Sequence, residues 1–170
     1  MAADKPQDAI ALLKADHRKV EALFEQFEKA SGDGKKRRLA EQICMELTIH
    51  ATIEEEIFYP ACMGKVEEDD LNEAYVEHDG AKVLIAEIEA GGPNDDFYDA
   101  KAKVLSEMIE HHVGEEEQRG EGIFAQAKKA GPDMETIGAE LAARKEALLA
   151  NYATGGTPKP ETTTFSEVTV

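Results

Sequence analysis

The segment HATIEEEIFYP, residues 50–60, places a histidine and a glutamate one helical turn apart. His50 follows Leu47 by three residues and precedes Glu54 by four, so the three side chains share one face if the segment is helical. Leu47 belongs to an apolar stripe, which predicts that this face is buried. An imidazole and a carboxylate are costly to bury without a partner. The pair therefore indicates a function if other helices carry the same residue types on their inner faces.

The sequence around this segment predicts an all-α protein. Apolar residues recur at helical spacing, and glycine, proline and aspartate separate the helical segments. Three predicted helices cover about residues 8–30, 36–63 and 69–91. A fourth follows residues 94–96 and continues into a glycine-interrupted stretch, and a fifth covers about residues 134–152. Short connections favour an antiparallel up-down-up-down four-helix bundle with a short fifth helix. We expect one domain over residues 1–152 and a loose, flexible tail, rich in Thr, Gly and Pro, over 153–170.

Charge and composition limit the possible partners. The formal net charge is −17, which repels nucleic-acid backbones and anionic membrane surfaces. No apolar run is long enough to span a bilayer, and the charged N-terminus lacks the pattern of a signal peptide. The two cysteines, Cys44 and Cys62, have no CxxC spacing and suggest a reducing compartment. We therefore expect a cytoplasmic protein that contacts neither nucleic acid nor membrane.

Each of the four long predicted helices carries one histidine on its apolar stripe. The chain has five histidines, and four of them lie at helical spacing from apolar neighbours: His17, His50, His78 and His112. Glu116 follows His112 by four residues, as Glu54 follows His50. The two halves of the chain repeat this order, since DHRKVEALF resembles EHDGAKVLI and HATIEEE resembles HHVGEEE. Antiparallel pairing of the halves would bring four imidazoles and two carboxylates to one level of the bundle.

This combination predicts a metal centre. A lone inward histidine is more often a hydrogen-bonded core residue, and a run of glutamates alone is usually a solvated helix face. Together, carboxylate and imidazole ligands suit iron, manganese or zinc, and facing helices of a bundle hold di-iron and di-manganese sites in this way. If Glu54 and Glu116 bridge two metals together with an oxo or hydroxo group, each metal with two histidines has five of its six octahedral positions filled. One position per metal is left for solvent, a substrate or a further side chain.

Other metal and hydrolase classes fit the sequence less well. There is no cysteine cluster of the zinc-finger type and no HExxH motif of the zincins. No local signature of a serine or cysteine hydrolase appears, although a triad formed in space has no such signature.

The chain resembles the hemerythrin-like family, also called the HHE cation-binding domain, over about residues 8–130. The resemblance is carried by Asp-His on the first helix, His-x-x-x-Glu-Glu-Glu followed by an aromatic residue and proline on the second, Glu-His on the third and His-x-x-x-Glu on the fourth. These are Asp16–His17, His50 with Glu54 and Phe58–Tyr59–Pro60, Glu77–His78, and His112 with Glu116. The resemblance implies a bundle that holds a non-haem di-iron centre, with oxygen, nitric oxide, peroxide or iron-sensing roles in different members.

The chain departs from this family at two places. Hemerythrins proper carry five ligand histidines, two of them on the third helix, whereas this helix has only one, and Tyr75 is the ordinary ligand candidate one turn away. Tyr59 is the other tyrosine close to a predicted ligand, and His111 lies about 100° around the helix from His112. On the fourth helix, Phe124–Ala125 stands where an aromatic-Pro pair is expected, which leaves Glu115 as an alternative to Glu116.

Two functions follow as expectations. The first is a di-iron protein that binds or senses O2, NO or iron, with a small diatomic molecule or peroxide as its ligand. The alternative is a di-iron enzyme that decomposes hydrogen peroxide in a catalase- or peroxidase-like reaction. Nothing in the sequence indicates a particular partner protein.

Overall fold

The structure, a computed structural model, describes residues 7–156 and 161–166. Within these residues all regular secondary structure is helical, as predicted. The elements are α1 (Ala9–Lys29), α2 (Asp33–Ile53), a π-helical turn (Glu54–Phe58), α3 (Tyr59–Cys62), α4 (Glu68–Ala90), α5 (Tyr98–Glu116), α6 (Ile123–Ala130) and α7 (Met134–Ala153). None of these helices combines the length and apolar character needed to cross a bilayer.

The long helices pack in a ring. Helix α1 contacts α2, α2 contacts α4, α4 contacts α5, and α5 closes the ring against α1. This order of neighbours is the one that the up-down-up-down prediction requires. Helix α7 lies outside the ring, against α1, α2 and the π-helical turn.

Two apolar clusters fill the bundle, and a level of buried polar side chains lies between them. Along α1, Leu13 belongs to one cluster and Val20 to the other, with His17 between them. Along the second helix, Leu47 and Ile53 belong to different clusters on either side of His50. The buried polar residues of this level include every histidine and glutamate predicted as a ligand. The polar level is therefore packed between one apolar cluster and the other.

The π-helical turn changes the direction of side chains after Glu54. The backbone N–H of Tyr59 donates to the carbonyl of Glu54, five residues earlier, so Tyr59 lies one turn beyond Glu54. The sequence predicted an uninterrupted helix over 36–63, although Pro60 has no N–H and its ring would crowd the carbonyl of Glu56 in a regular α-helix. The wider turn accommodates the proline and faces Tyr59 toward the polar level.

The fourth predicted helix is split into α5 and α6. A Cβ at Gly122 would lie 2.5 Å from the carbonyl oxygens of Glu115 and Glu116, so only glycine fits against the last turn of α5. This close approach explains the interruption predicted from the glycine-rich sequence. At the other end of α5, Phe97 precedes the helix and is 70% exposed, whereas Tyr98 is buried.

The predicted tail begins where α7 ends, at Ala153. Of its later residues, 161–166 lie against α4, where three backbone N–H groups donate to Asp79. Residues 157–160 and 167–170 lie outside the described part of the chain. The flexibility of the tail stays a prediction for them.

Candidate metal centre

The structure brings the six predicted ligands together in two adjoining groups. The first group consists of His17, His50, Glu54 and Glu116, whose ligand atoms all lie within 4.8 Å of one another. The Nε2 atoms of His17 and His50 are 3.1 Å apart. Nε2 of His17 lies 3.3 Å from Glu116 Oε2, and Nε2 of His50 lies 3.2 Å from Glu54 Oε1. This arrangement can surround one metal ion.

The second group repeats the first with the other two histidines. Glu54, His78 and His112 also place their ligand atoms within 4.8 Å of one another. The two Nε2 atoms are 3.1 Å apart, and Nε2 of His78 lies 3.2 Å from Glu54 Oε2. Glu116 Oε2 lies 3.5 Å from Nε2 of His112. Each of the two glutamates therefore approaches histidines of both groups, as bridging ligands do.

The outer nitrogen, Nδ1, of two histidines lies against the acidic residue that precedes the histidine of the neighbouring helix. Asp16 Oδ2 is 3.4 Å from Nδ1 of His50, and Glu77 Oε1 is 3.4 Å from Nδ1 of His112. The Asp-His and Glu-His pairs in the sequence thus each serve a single group: the histidine points into the group from its own helix, and the acid orients the other histidine of that group on the neighbouring helix.

The other two histidines are oriented by the residue that follows a bridging glutamate. Glu55 Oε1 lies 2.9 Å from Nδ1 of His78, and Glu117 Oε1 lies 2.7 Å from Nδ1 of His17. The second residue of each Glu-Glu pair is therefore an outer partner rather than a solvated charge. The sequence did not predict these roles.

Basic side chains hold three of the four orienting acids. Their partners come from three different helices: Lys145 for Asp16, Lys82 for Glu55 and Arg18 for Glu117. The fourth acid, Glu77, faces His111, whose Nε2 lies 3.9 Å from its carboxylate. Lys145 gives the fifth helix, α7, a direct connection to the site.

The chemistry of these groups fits a pair of cations. A carboxylate has no proton to give, so Nδ1 of each histidine carries a hydrogen and Nε2 is left to present its lone pair to a metal. The paired Nε2 atoms, 3.1 Å apart, would repel if both presented lone pairs, so a proton or a metal cation must lie between the rings and the carboxylates. The oxygens Glu54 Oε1 and Glu116 Oε2 are buried without a hydrogen-bond partner among the described residues. Metal ions would satisfy all of these atoms.

The pKa values of the metal-free groups point the same way. Burial lowers the pKa of His50, but Glu54 and Asp16 outweigh it and raise the value to about 10. Burial likewise opposes protonation of His78, yet Glu54 and Glu55 raise its pKa to about 9. Burial raises the pKa of Glu54, but His50 and His78 hold it well below its usual range. Without a metal, the carboxylates draw protons onto the imidazoles, so the site requires positive charge.

Tyr59 is the tyrosine that reaches the site. Its hydroxyl lies 2.7 Å from Glu116 Oε1, 3.3 Å from Glu54 Oε2, 3.3 Å from Nε2 of His78 and 3.5 Å from Nε2 of His112. Burial, then Glu116 and Glu54, raise the pKa of this phenol well above its usual value. The hydroxyl thus touches ligand atoms of the whole second group.

The other residues left open by the sequence lie farther out. Tyr75 is half-buried and packs its ring against that of Tyr59, with centroids 5.3 Å apart. The tyrosine hydroxyl that contacts the ligand atoms is that of Tyr59. His111 is 63% exposed and lies 3.2 Å from Glu115, which is 44% exposed. Glu116 is 1% exposed and belongs to the first group. The structure therefore places Glu116, and not Glu115, at the site.

A cavity of about 280 Å³ adjoins the histidines on the side of α7. All four ligand histidines line it, and much of the rest of its lining is aliphatic: Val20, Leu47, Ala81, Ile85, Ile109 and Val113. Glu55, Lys82 and Glu161 lie on the same lining. A small molecule in this cavity would lie beside the ligand histidines.

The match to a family model covers this centre. The model described as "Hemerythrin HHE cation binding domain" matches residues 8–119, a range that contains every predicted ligand from His17 to Glu116. The chain belongs to the hemerythrin HHE cation-binding family. The resemblance predicted from the sequence is thereby confirmed, and so is a helical domain with His/Glu clusters able to bind metal.

Two further proteins are similar to this HHE domain. The crystal structure of a hemerythrin HHE cation-binding domain-containing protein from Mycobacterium kansasii, an Rv2633c homolog, superposes with a TM-score of 0.73 at 22% identity, over 88% of this chain and 94% of that one. This likeness supports the fold. A DNA nickase from Nostoc sp. (strain PCC 7120 / SAG 25.82 / UTEX 2576) is 31% identical over 106 residues, 62% of this chain. The match covers 30% of that protein's length.

Proposed function

We propose that this HHE domain is a non-haem di-iron protein that binds a small diatomic molecule, O2 or NO. The observation that carries the proposal is the pair of adjoining His/Glu groups that share Glu54 and approach Glu116 from both sides. Imidazole nitrogens and carboxylate oxygens suit iron, and two shared carboxylates suit a bridged pair of ions, completed by an oxo or hydroxo group. When bound, the two irons supply the reversible redox chemistry.

The cavity supports a diatomic ligand. Its aliphatic wall, which includes Val20, Ile85 and Val113, favours an apolar molecule over water. The four imidazoles lie on the same lining, so a ligand in the cavity would be next to the residues that would hold the metals. The net charge of −17 also favours a neutral small molecule over nucleic acid or a membrane surface as the partner.

The test is anaerobic loading with ferrous iron, followed by iron analysis and exposure to O2 or NO. We expect two irons per chain and a change in the visible spectrum on exposure to either gas. His50→Ala and Glu54→Ala should lose most of the iron, because the remaining ligands are left unpaired in the core. His111→Ala is the matched control, since that imidazole is 63% exposed, and it should keep both irons. Equal iron retention in all three variants would refute the site.

Decomposition of hydrogen peroxide is the second candidate, and Tyr59 favours it. Its hydroxyl, which donates to Glu116 at 2.7 Å, lies among the ligand atoms and could supply a proton to a bound peroxide. In the catalase-like reaction two molecules of hydrogen peroxide give two of water and one of oxygen. An oxygen electrode measures this release, and a loaded protein that forms a stable oxygen adduct but leaves peroxide intact would exclude it.

We also propose a cytoplasmic location. Cys44 and Cys62 are free thiols in different parts of the core and are both fully buried. Free thiols are typical of reducing compartments. Fractionation of the cells that make the protein would test the location directly.

A further inference from the structure

The C-terminal residues 161–166 bind one buried carboxylate on α4. The backbone N–H of Thr163 lies 2.9 Å from Asp79 Oδ1, and the N–H groups of Thr164 and Phe165 donate to Oδ2. The hydroxyl of Thr164 adds a fourth donor at 2.6 Å. Consecutive N–H groups that converge on one anion form a nest, a strong anion-binding arrangement. The contact is therefore specific.

Asp79 depends on this contact. Its side chain has no exposed surface, although it lies in the middle of α4, where an aspartate normally points to solvent. Among the described residues its cationic partner is Lys82, at 3.4 Å. Without residues 161–166, most of the donors that satisfy this carboxylate would be lost.

The same segment reaches the groups that orient a ligand histidine. Nζ of Lys82 donates to the carbonyl of Glu161 at 3.1 Å and to Glu55 at 2.9 Å. The hydroxyl of Thr163 lies 3.5 Å from Glu55, whose other oxygen holds Nδ1 of His78 at 2.9 Å. A chain of polar contacts thus runs from the C-terminal segment through Glu55 to the ligand.

The segment also borders the cavity beside the histidines. Glu161 lines this cavity together with Glu55 and Lys82, the two residues that the C-terminal segment contacts through Thr163 and Glu161. We propose that residues 161–166 are a strap that closes the mouth of the metal cavity and braces Glu55, so that release of the strap opens the route to the metals. This inference rests on the proposed di-iron function for its readout and adds a control of access to it.

Three variants of the iron-loaded full-length protein test the strap. Thr164→Pro removes the N–H and the hydroxyl that bind Asp79. Thr162→Pro is the matched control, because Thr162 donates to neither Asp79 nor Glu55 in the described contacts. A chain that ends at Gly156 removes the strap altogether. Iron content is measured first, and all three are expected to hold as much iron as the parent.

The decisive measurements are the rate at which sodium azide changes the visible spectrum of the diferric protein and the rate at which a ferrous chelator extracts iron after reduction. Loss of two hydrogen bonds to a charged group should raise both rates about tenfold or more in Thr164→Pro and in the shortened chain. Thr162→Pro should keep the parent rates. Unchanged rates in both strap variants, with two irons bound, would overturn the strap. Absence of iron from the parent protein would instead overturn the proposed function.

Discussion

Replacing Tyr59 with phenylalanine removes a single oxygen from the centre of the second ligand group. The ring is fully buried and phenylalanine has the same shape, so packing is preserved. In the metal-free protein the hydroxyl donates to Glu116 at 2.7 Å, and a hydrogen bond to a charged group contributes about 1.5–3 kcal/mol. For a chain of 170 residues this loss corresponds to a fall in Tm of roughly 3–12 °C.

In the iron-loaded protein the same change tests whether the phenol is a ligand. The hydroxyl lies within 3.5 Å of four ligand atoms, so an iron ion in the second group would be close to it. Iron binding would lower the phenol pKa far below its metal-free value. A ferric phenolate absorbs visible light in a charge-transfer band that an oxo-bridged His/Glu centre lacks. We therefore expect Tyr59→Phe to keep two irons and lose this band.

Tyr75→Phe is the control for this experiment. Tyr75 touches the ring of Tyr59 but is half-buried, and its replacement should leave the visible spectrum unchanged. The spectra are compared at equal iron content. If the diferric Tyr59→Phe protein has the spectrum of the parent, the phenol is not a ligand; if only Tyr75→Phe bleaches the colour, the assignment of the two tyrosines is reversed.

Four more predictions follow from ionisable groups buried in the bundle. Asp16→Asn should weaken iron binding about 10- to 100-fold in a chelator competition, because this acid orients His50. Iron uptake at pH 7.5 should release at least two protons, measured with a pH indicator, because His50 and His78 are protonated in the metal-free protein and a bridging hydroxide or a bound phenolate would add to them. The raised pKa values of His50 and His78 stabilise the metal-free fold fully below about pH 6.5, and this stabilisation is lost as the pH rises toward 10. The Tm of the metal-free protein should therefore fall over this range, while the Tm of the iron-loaded protein should change less. Burial raises the pKa of Cys44 and Cys62 to about 12, so neither thiol should react with iodoacetamide at pH 8 until the protein unfolds, as mass spectrometry would show.

The sequence predicts which histidines and glutamates face inward, because their positions follow from helical geometry alone. His50 and Glu54 are four residues apart, and the structure keeps both on the inner face of the second helix. The repeat of the pattern in His112 and Glu116 identifies the second half of the site by the same rule. Such spacing needs no knowledge of how the helices are arranged.

The sequence names Tyr59 only as a second candidate behind Tyr75, because a regular helix turns Tyr59 away from the ligand face. At about 100° per residue, a side chain five positions after Glu54 points to a different face. The π-helical turn holds one more residue per turn and returns Tyr59 to the face of Glu54. Pro60 was the available signal, since a proline inside a predicted helix indicates a distortion a few residues earlier.

The orienting acids could not be predicted because their partners lie on other helices. Asp16 precedes His17 in the sequence but serves His50, and its cation, Lys145, is 129 positions away on α7. Which acid faces which ring depends on the rotation and height of each helix in the bundle. Only the assembled structure contains that information.

The two halves of the centre differ in a way that bears on where a ligand binds. The acids and histidines follow the internal repeat, but their aromatic neighbours differ. Tyr59 contacts Glu54, Glu116 and the second pair of histidines. In the first half, the ring of Phe124 stacks on that of His17, with centroids 5.7 Å apart. A phenylalanine offers no donor atom, while the tyrosine hydroxyl lies among the ligand atoms. We therefore expect protein side chains to occupy all coordination positions of the metal beside His78 and His112. The exchangeable position would then belong to the metal held by His17 and His50. Both of these histidines line the aliphatic cavity, so a ligand that enters it has direct access to this metal.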